Sequence, residues 1–399
     1  MFQVLKENKD FRRLFLGQVF SLAGDWFNFV AVVTLIGDVR GGGIMALAWL
    51  TVIKQLPVIL FSAVGGVFAD RFSRRKIMLY SDLIRAVLAV LIIPATNYGP
   101  SAVLAVIGLS AIISAFFDPA RTACLPQLVE PSQLRSANAL GSMAWSTCMI
   151  LGAALGGVVT EYFGVNFALI IDGVTFLVSA WLIYKLPPLY PTQHHVHTEV
   201  TFRDFIKYRL FSVERKIAVL VKGLFGIGAA VNFIQSVIGL SLGIGASGAG
   251  GLSATLCARA FGALSGMIVA KKFFDSKSEI DLITVGMFFC GLSYFAVGIS
   301  ESIPLFLFSM FTAHFGSSLV WVYSTIWIQR IFPNEERGRA AGLDIGLFML
   351  TSCVVTVLSG ELITRGLLTP RGVAEMCGVF WILVSVTFIP IKRIMHRYA

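Results

Sequence analysis

The sequence predicts an all-α membrane protein whose twelve transmembrane helices form two pseudo-symmetric six-helix bundles. The first observation is composition: 56% of the 399 residues are hydrophobic and only 14% are charged, whereas soluble domains carry about 25% charged residues. The second is that apolar residues recur in blocks of about 20, the length that crosses ~30 Å of hydrocarbon. The third is that two short patterns recur about half a chain apart. A β-barrel would instead require short segments of alternating polarity.

Twelve apolar spans follow one another along the chain. We place them at residues 12–37, 44–69, 77–97, 101–128, 137–160, 165–186, 216–240, 247–270, 281–300, 304–332, 338–364 and 371–392. Short loops separate all of them except the sixth and seventh, which a polar, basic linker joins. We therefore expect three parts, namely an N-terminal six-helix bundle at 1–186, a cytoplasmic linker at 187–215 and a C-terminal six-helix bundle at 216–399. The charged N-terminus runs directly into the first span, so that span should remain in the protein.

The basic residues predict the orientation. With the N-terminus inside, the loops on the opposite side hold only Arg40, Arg365 and Arg371, and most other lysines and arginines fall on the inner side. Because cytoplasmic loops retain Lys and Arg, both termini should face the cytoplasm of a plasma (inner) membrane. The net charge of +10 is therefore a topology signal and gives no support for nucleic-acid binding.

Internal repetition supports two matched halves. The segment Pro131–Leu140 follows the fourth span, and the similar segment Pro333–Gly342 follows the tenth. In the same way, Gly66-x-x-x-Asp70-Arg71 ends the second span and Gly266-x-x-x-Ala270-Lys271 ends the eighth. Both pairs are separated by about half the chain, which indicates a duplicated six-helix unit.

The loop between the second and third spans carries the most specific motif. Its sequence, Gly66-Val-Phe-Ala-Asp-Arg-Phe-Ser-Arg-Arg-Lys76, resembles the signature loop G-x-x-x-D-R-x-G-R-R-K of the major facilitator superfamily, with Ser73 in place of the second glycine. Further segments resemble the macrolide-efflux type of drug/proton antiporters within that superfamily, and the resemblance covers the whole chain. These segments are Phe117–Arg121, Leu125–Val129, Asp172–Phe176 and Pro333–Arg339. One departure is the fifth span, where Gly152-Ala-Ala-Leu-Gly156-Gly157 lacks the proline of the exporter pattern G-P-x-x-G-G.

The resemblance implies a secondary active transporter that works by alternating access. Its expected activity is proton-coupled export of a hydrophobic or amphipathic small molecule. Alternatives of the same fold are an exporter of lipids or lysolipids, siderophores or metal ions, and an uncoupled facilitator. The sequence has no Walker motif, so a gradient must supply any work. We expect a monomer with no cofactor, no enzymatic activity and no nucleic-acid partner, in contact with its substrate, protons and membrane lipids.

The resemblance also implies a cytoplasmic gate. Asp70 would face the N-terminal end of the eleventh span near Arg339, and the loop arginines would contact acidic partners and lipid phosphates. The alternative is that the loop only enforces topology. The expected gate residues are Gly66, Asp70, Arg71, Arg74, Arg75, Asp82, Arg85, Asp118, Arg121, Arg337 and Arg339.

Charges within the spans predict a transport pathway, because each costs about 2.5–3.5 kcal/mol at a helix centre on insertion scales. Asp25 and Lys54 both lie near mid-depth, on consecutive spans. We hypothesise that Asp25 carries the coupling proton and that Lys54 is its partner or competitor. A static ion pair, or a capped helix break at Gly24-Asp25, is the alternative.

The remaining candidates in the pathway are two ionisable residues and four amides. Arg259, at mid-depth in the eighth span, could attract an anionic substrate or hold a carboxylate in a structural pair. His314 belongs to the residue type that titrates near neutral pH, although a hydrogen-bonded packing role is the alternative. The polar residues that could line the pathway are Asn28, Gln55, Asn232 and Gln235.

Two motifs carry less information. The segment Gly243-Ile-Gly-Ala-Ser-Gly248 matches G-x-G-x-x-G, but no strand precedes it and no acidic residue follows at the required distance, so we interpret it as a flexible loop. His194, His195 and His197 lie in the linker and would bind a metal only adventitiously, so no metal site is predicted. Residues 202–211 have the amphipathic pattern of a helix lying on the membrane surface.

Overall fold

The computed structural model describes residues 3–38, 43–190, 212–273 and 278–398. The linker histidines and the amphipathic segment at 202–211 lie outside these ranges, as does the side chain of Arg339. Every regular element within the described ranges is helical. Twelve segments there are long and apolar enough to cross a membrane, so the predicted all-α class with twelve spans is confirmed.

The helices are numbered in chain order. They are α1 (Gln3–Glu7), α2 (Lys9–Asp38), α3 (Gly43–Arg71), α4 (Arg74–Ala95), α5 (Pro100–Leu128), α6 (Leu134–Phe163), α7 (Val165–Tyr184), α8 (Val213–Gly228), α9 (Ala230–Leu240), α10 (Ala249–Phe273), α11 (Glu279–Ile299), α12 (Ile303–Ile331), α13 (Asn334–Thr364) and α14 (Pro370–Tyr398). Helices α2 to α7 supply the first six spans, α8 and α9 share the seventh, and α10 to α14 supply the rest.

Short turns join consecutive spans because glycine permits a sharp reversal. Gly164 has φ +84° and is the single residue between α6 and α7. Only glycine adopts this left-handed region without steric cost. The same device recurs at Gly99, with φ +89°, immediately before α5. These turns make sequence neighbours antiparallel spatial neighbours.

The seventh span differs from the sequence prediction of one continuous helix at 216–240. Helix α8 ends at Gly228 and α9 begins at Ala230. Glycine weakens a helix interior by about 0.5–1 kcal/mol relative to alanine, and here two glycines lie one turn apart or less. A Cβ atom at Gly228 would overlap the Trp381 indole, and one at Gly226 would overlap α13. Close packing against neighbouring helices therefore explains both the glycines and the break.

Contact clustering divides the chain into two compact units. The first comprises Met1–Thr192 with Gly239–Cys257, and the second comprises Gln193–Ile238 with Ala258–Ala399. In the first unit, α2 packs against α6 and α7, α3 against α5, and α4 against α5 and α7. In the second unit, α11 packs against α12 and α14, and α8 packs against α13. The predicted bundle boundaries at 186 and 216 stay a prediction.

Candidate functional site

An ion pair within the first unit joins Asp25 on α2 to Arg85 on α4. The Arg85 Nη2 atom lies 2.5 Å from Asp25 Oδ1, and the Phe176 ring centroid lies 4.1 Å from the guanidinium carbon. The Arg85 side chain is only 5% exposed, whereas the Asp25 side chain is 40% exposed. The cation is thus fixed inside the helix packing, and the carboxylate is the accessible partner.

Two further carboxylates lie close to this pair. Asp82, on α4, accepts a hydrogen bond of 2.5 Å from the Ser179 hydroxyl and lies 4.0 Å from Arg85. Asp172, on α7, accepts one of 2.8 Å from the Asn28 amide. Both aspartates are at most 1% exposed, and each has one carboxylate oxygen without a hydrogen-bond partner among the described residues. Their negative charge is therefore incompletely compensated.

Lys54 completes this group, which we call the Asp25 cluster and define as Asp25, Lys54, Asp82, Arg85 and Asp172. Its ammonium lies 5.2 Å from the centroid of the Phe29 ring and lines the same cavity as Asp25 and Asp172. No ion pair within 4.0 Å joins Lys54 to a carboxylate of the ranges described above. The cluster thus holds three carboxylates and two cations, so one added proton would balance its charge.

The structure changes two sequence-based assignments. Arg85, which the sequence placed in the cytoplasmic gate, is the residue that pairs with Asp25, and Lys54 is a more distant neighbour in the same cavity. The physical reason is that α2 packs mainly against α6 and α7 and only slightly against α3, while α4 also packs against α7. The helix that follows α2 in sequence is therefore not its main neighbour.

The cavity at this cluster is small, and polar and apolar residues line it in equal number. Its volume is about 90 Å³, and Ser110, Ser114 and Asn28 line it beside the charged groups. Sites for drug-sized ligands occupy roughly 300–1,000 Å³, whereas a buried water needs only about 10–30 Å³. The cavity therefore suits a few water molecules and a proton better than an amphipathic substrate.

Arginine side chains of the signature loop, residues 66–76, form hydrogen bonds that connect helices of the first unit. Arg74 is buried and donates hydrogen bonds to the Ala69 and Ala123 carbonyls at 3.1 and 2.9 Å, and it lies 3.8 Å from Asp70. Arg75 donates to the Tyr184 carbonyl and lies 5.2 Å from that ring. These contacts link α3, α5 and α7 through the start of α4.

The other predicted gate residues differ in their surroundings. Arg71 is exposed, and a Cβ atom at Gly66 would meet nothing within 4 Å. Arg121 lies 3.5 Å from the exposed Asp118 and donates to the Gln18 amide oxygen at 3.3 Å. In the second unit, Arg337 donates to the Phe332 carbonyl at 2.9 Å.

A buried ion pair in the second unit was not among the predicted site residues. Lys222, on α8, lies 2.5 Å from Asp344 on α13 and donates to the Thr325 hydroxyl at 2.8 Å. Its ammonium also lies 4.7 Å from the centroid of the Trp321 ring. The lysine and aspartate side chains are 3% and 1% exposed. Both charges interrupt apolar spans, so each could be recognised in the sequence. Their pairing could not be predicted, because 122 residues separate them.

The remaining pathway candidates lie apart from these clusters. The Gln55 amide donates to its own helix at Thr51, 3.4 Å away. Asn232 is half-buried and Gln235 is buried on α9. Arg259 on α10 and the buried His314 on α12 belong to the second unit. Gln55 therefore does not belong to the Asp25 cluster, and the other four residues belong to the second unit.

The glycine-containing segment predicted as a flexible loop binds a carboxylate. Glu161, near the end of α6, accepts hydrogen bonds from the backbone amides of Ala246 and Ser247 and, at 2.6 Å, from the Ser247 hydroxyl. Gly245 has φ +83°, and a Cβ atom there would overlap the Glu161 carboxylate. Consecutive backbone N–H groups in such turns form anion-binding concavities. The loop therefore fastens α6 to the start of α10.

Twelve apolar spans with charged groups held inside the helix packing indicate a multi-pass membrane protein. The family model of the Major Facilitator Superfamily matches residues 14–356 of the chain, so the chain belongs to that family. Its predicted membership and fold are confirmed.

Relatives with known names support a transporter of the efflux type. "Putative bacilysin exporter BacE" of Bacillus subtilis (strain 168) is 27% identical over 94% of this chain and 93% of its own length. "Macrolide efflux protein A" of Streptococcus pyogenes is 25% identical over 95% of this chain and 93% of its own length. The match therefore extends over nearly the whole of each protein.

Solved structures show the same fold at low sequence identity. The nucleoside transporter NupG has a TM-score of 0.76 at 12% identity, and the match covers 98% of this chain and 100% of that one. The peptide transporter POT in complex with sulfate has a TM-score of 0.77 at 14% identity, covering 98% and 95%. These likenesses show the fold alone. The chain is thus a multi-pass membrane transporter of the major facilitator superfamily with exporter-type relatives.

Proposed function

We propose that this protein is a proton-coupled exporter of a hydrophobic or amphipathic small molecule. The observation that carries the proposal is the Asp25 cluster, in which an accessible carboxylate pairs with a buried arginine in a water-sized cavity. The names of the two relatives support export, and the transporter family supports a small-molecule substrate. Transport, with no catalytic step, is the activity assigned.

The coupling step follows from charge balance. In the ion-paired state, Asp25 is ionised and compensates Arg85. A proton arriving through the cavity neutralises the carboxylate and weakens its hold on Arg85, which then turns to the buried carboxylates of Asp82 and Asp172. The two arrangements differ in which helices are held together, since Asp25 lies on α2, Asp82 on α4 and Asp172 on α7. Proton binding thereby biases a conformational equilibrium by its differential affinity for the two states.

The cellular setting belongs to the same proposal. The distribution of basic residues supports cytoplasmic termini, and hence a plasma (inner) membrane location with the signature loop on the cytoplasmic side. Export would then use inward proton flow. We assign a monomer as the working unit, with Arg71 available to lipid phosphates because it is exposed.

The test is transport in proteoliposomes with an imposed pH gradient. Probes are a macrolide and bacilysin, chosen from the relatives' names, with a lysolipid, a siderophore and Mn²⁺ for the alternative substrates. Asp25→Asn should abolish gradient-driven accumulation and retain exchange without a gradient. Asp10→Asn is the matched control, because that aspartate is 37% exposed, pairs with Arg13 on its own helix and should retain coupling.

Three outcomes would overturn parts of the proposal. Full gradient dependence in Asp25→Asn would remove Asp25 from the coupling role. Flux of the wild-type protein that ignores the gradient would favour the uncoupled facilitator. Transport restricted to the lysolipid, siderophore or metal probe would change the substrate class and leave the coupling assignment intact.

A further inference from the structure

Arg259 lies within a membrane span, and no carboxylate of the residues that the structure describes forms an ion pair with it. It lies in α10, about ten residues and therefore roughly 15 Å from the start of that helix. Within the described ranges, no hydrogen bond or ion pair reaches its guanidinium, and Tyr294 is the one counter-group that acts on it electrostatically. The sequence left a structural ion pair open as the alternative role of Arg259. The described residues do not form such a pair.

His314 and Tyr294 provide a second observation at the same place. The His314 side chain is 5% exposed, and its Nε2 atom is buried without a partner among the described residues, whereas Nδ1 lies 3.3 Å from the Ser317 hydroxyl. The His314 and Tyr294 ring centroids are 6.4 Å apart, and the His314 ring also interacts electrostatically with Arg259. A buried histidine nitrogen without a partner among the described residues therefore lies within electrostatic range of Arg259.

The other embedded cations show that this is unusual within the chain. Arg85 pairs with Asp25 and Lys222 pairs with Asp344, and Lys54 shares a cavity with two aspartates. A charge inside a membrane is costly, and such residues pair with one another or mark a substrate pathway. Because no carboxylate of the described residues forms an ion pair with Arg259, its position favours the substrate-pathway role.

We infer that Arg259, with His314 and Tyr294, binds an anionic group carried by an amphipathic solute. A guanidinium offers a planar fork that binds carboxylate or phosphate through two hydrogen bonds, and the His314 nitrogen supplies one more polar contact. The ring faces of Tyr294 and His314 suit the apolar part next to the anion. The inference deepens the proposed function, on which it rests, by giving the transported molecule a negative charge.

The same chemistry could come from a lipid headgroup or from a soluble solute. Both carry a carboxylate or phosphate on an apolar body, and both would neutralise Arg259. The experiment below therefore includes one arm for each source. It measures binding without a proton gradient, so its result is independent of coupling at Asp25.

The first measurement is the thermal midpoint of the ligand-free protein in neutral detergent. Arg259→Gln should raise or preserve the midpoint, because it removes an uncompensated charge from a low-dielectric site. Loss of a structural ion pair would lower it instead. Arg365→Gln is the control for charge removal, since Arg365 is 67% exposed and pairs with Glu361, four residues earlier at the end of α13.

The second measurement compares N-acetyltryptophan with N-acetyltryptophanamide, which differ in charge and hardly in shape. The acid should stabilise the wild-type protein more than the amide does. Arg259→Gln should weaken binding of the acid by about 10- to 100-fold, the range expected for a hydrogen bond to a charged group, and Arg259→Lys should retain part of it. Arg365→Gln should bind the acid like wild type. Equal shifts from acid and amide, or no shift from either, would contradict the anion site.

The lipid arm repeats the comparison in nanodiscs. Phosphatidylcholine alone should preserve the acid-specific shift, and adding phosphatidylglycerol should leave it unchanged if the site takes a soluble solute. Loss of the shift with phosphatidylglycerol, restored by dilution with phosphatidylcholine, would assign the same anion site to a lipid headgroup. A shift that persists in Arg259→Gln under either lipid would overturn the inference.

Discussion

The two units each hold a short ion pair inside the membrane-spanning helices, but the pairs differ in accessibility. In the first unit, Asp25 is 40% exposed and lines a cavity beside Arg85. In the second, Lys222 and Asp344 are at most 3% exposed and are enclosed by Thr325 and Trp321. Solvent can reach the Asp25 carboxylate but hardly that of Asp344. The comparison therefore distinguishes the accessible ion pair, which we propose as the coupling switch, from an enclosed one that joins α8 to α13.

The largest expected effect concerns the enclosed ion pair of Lys222 and Asp344. Lys222→Met should lower the free energy of unfolding by about 3–5 kcal/mol, because it leaves the Asp344 carboxylate buried and unpaired. The measurement is the thermal midpoint and the yield of folded protein in detergent. Lys222→Met combined with Asp344→Leu should recover most of the loss, since a well-packed apolar pair often replaces a buried ion pair at little cost. A single variant as stable as wild type would contradict the structural role.

A smaller effect on stability, which differs between the two partners, is expected for the accessible ion pair of Asp25 and Arg85. Arg85→Gln should cost about 1–3 kcal/mol, because it leaves the buried Asp82 carboxylate without its nearest cation. Asp25→Asn should cost less than about 1 kcal/mol, since the partly hydrated amide still accepts a hydrogen bond from Arg85 and solvent screens the lost charge. Thermal midpoints of the two variants and of the double variant check this order. Equal losses from the two single variants would mean that Asp25 is as enclosed as Asp344.

At the Glu161 loop, two glycines provide a matched pair, and the small quantity of interest is the difference between their variants. Gly243 and Gly245 both have positive φ, at +68° and +83°, but a Cβ atom meets nothing at Gly243 and overlaps the Glu161 carboxylate at Gly245. Gly243→Ala should cost roughly 1 kcal/mol from backbone strain alone, and Gly245→Ala should cost more by roughly 1 kcal/mol because the carboxylate must move away from its N–H donors. Thermal midpoints measure the difference, and identical values would show that the carboxylate contact adds no stability.

Much of the fold was predictable because hydropathy reports helix length and depth directly. The number of spans, the all-α class and the family signature at Gly66–Lys76 all follow from patterns that are local in the sequence. The break after Gly228 was not predictable, since it depends on Trp381, which lies 153 positions further along the chain.

The candidate site was only partly predictable for a related reason. Sequence position gives the depth of Asp25, Lys54 and Arg85 in the membrane but not which helices are neighbours. Adjacent spans were therefore paired in the prediction, whereas the packing of α2, α4 and α7 brings Arg85 to Asp25. The Glu161 contact was missed because it is formed by backbone N–H groups, which every residue except proline carries.

The division of the seventh span into α8 and α9 has a consequence for motion. A continuous helix bends only if backbone hydrogen bonds are stretched, and in lipid no water replaces them. Here the regular helix is already interrupted at Ala229, near half-depth, where the Ala229 N–H donates to the Gly226 carbonyl at 3.1 Å. A bend at this residue would therefore strain fewer regular helix hydrogen bonds than a bend elsewhere in the span.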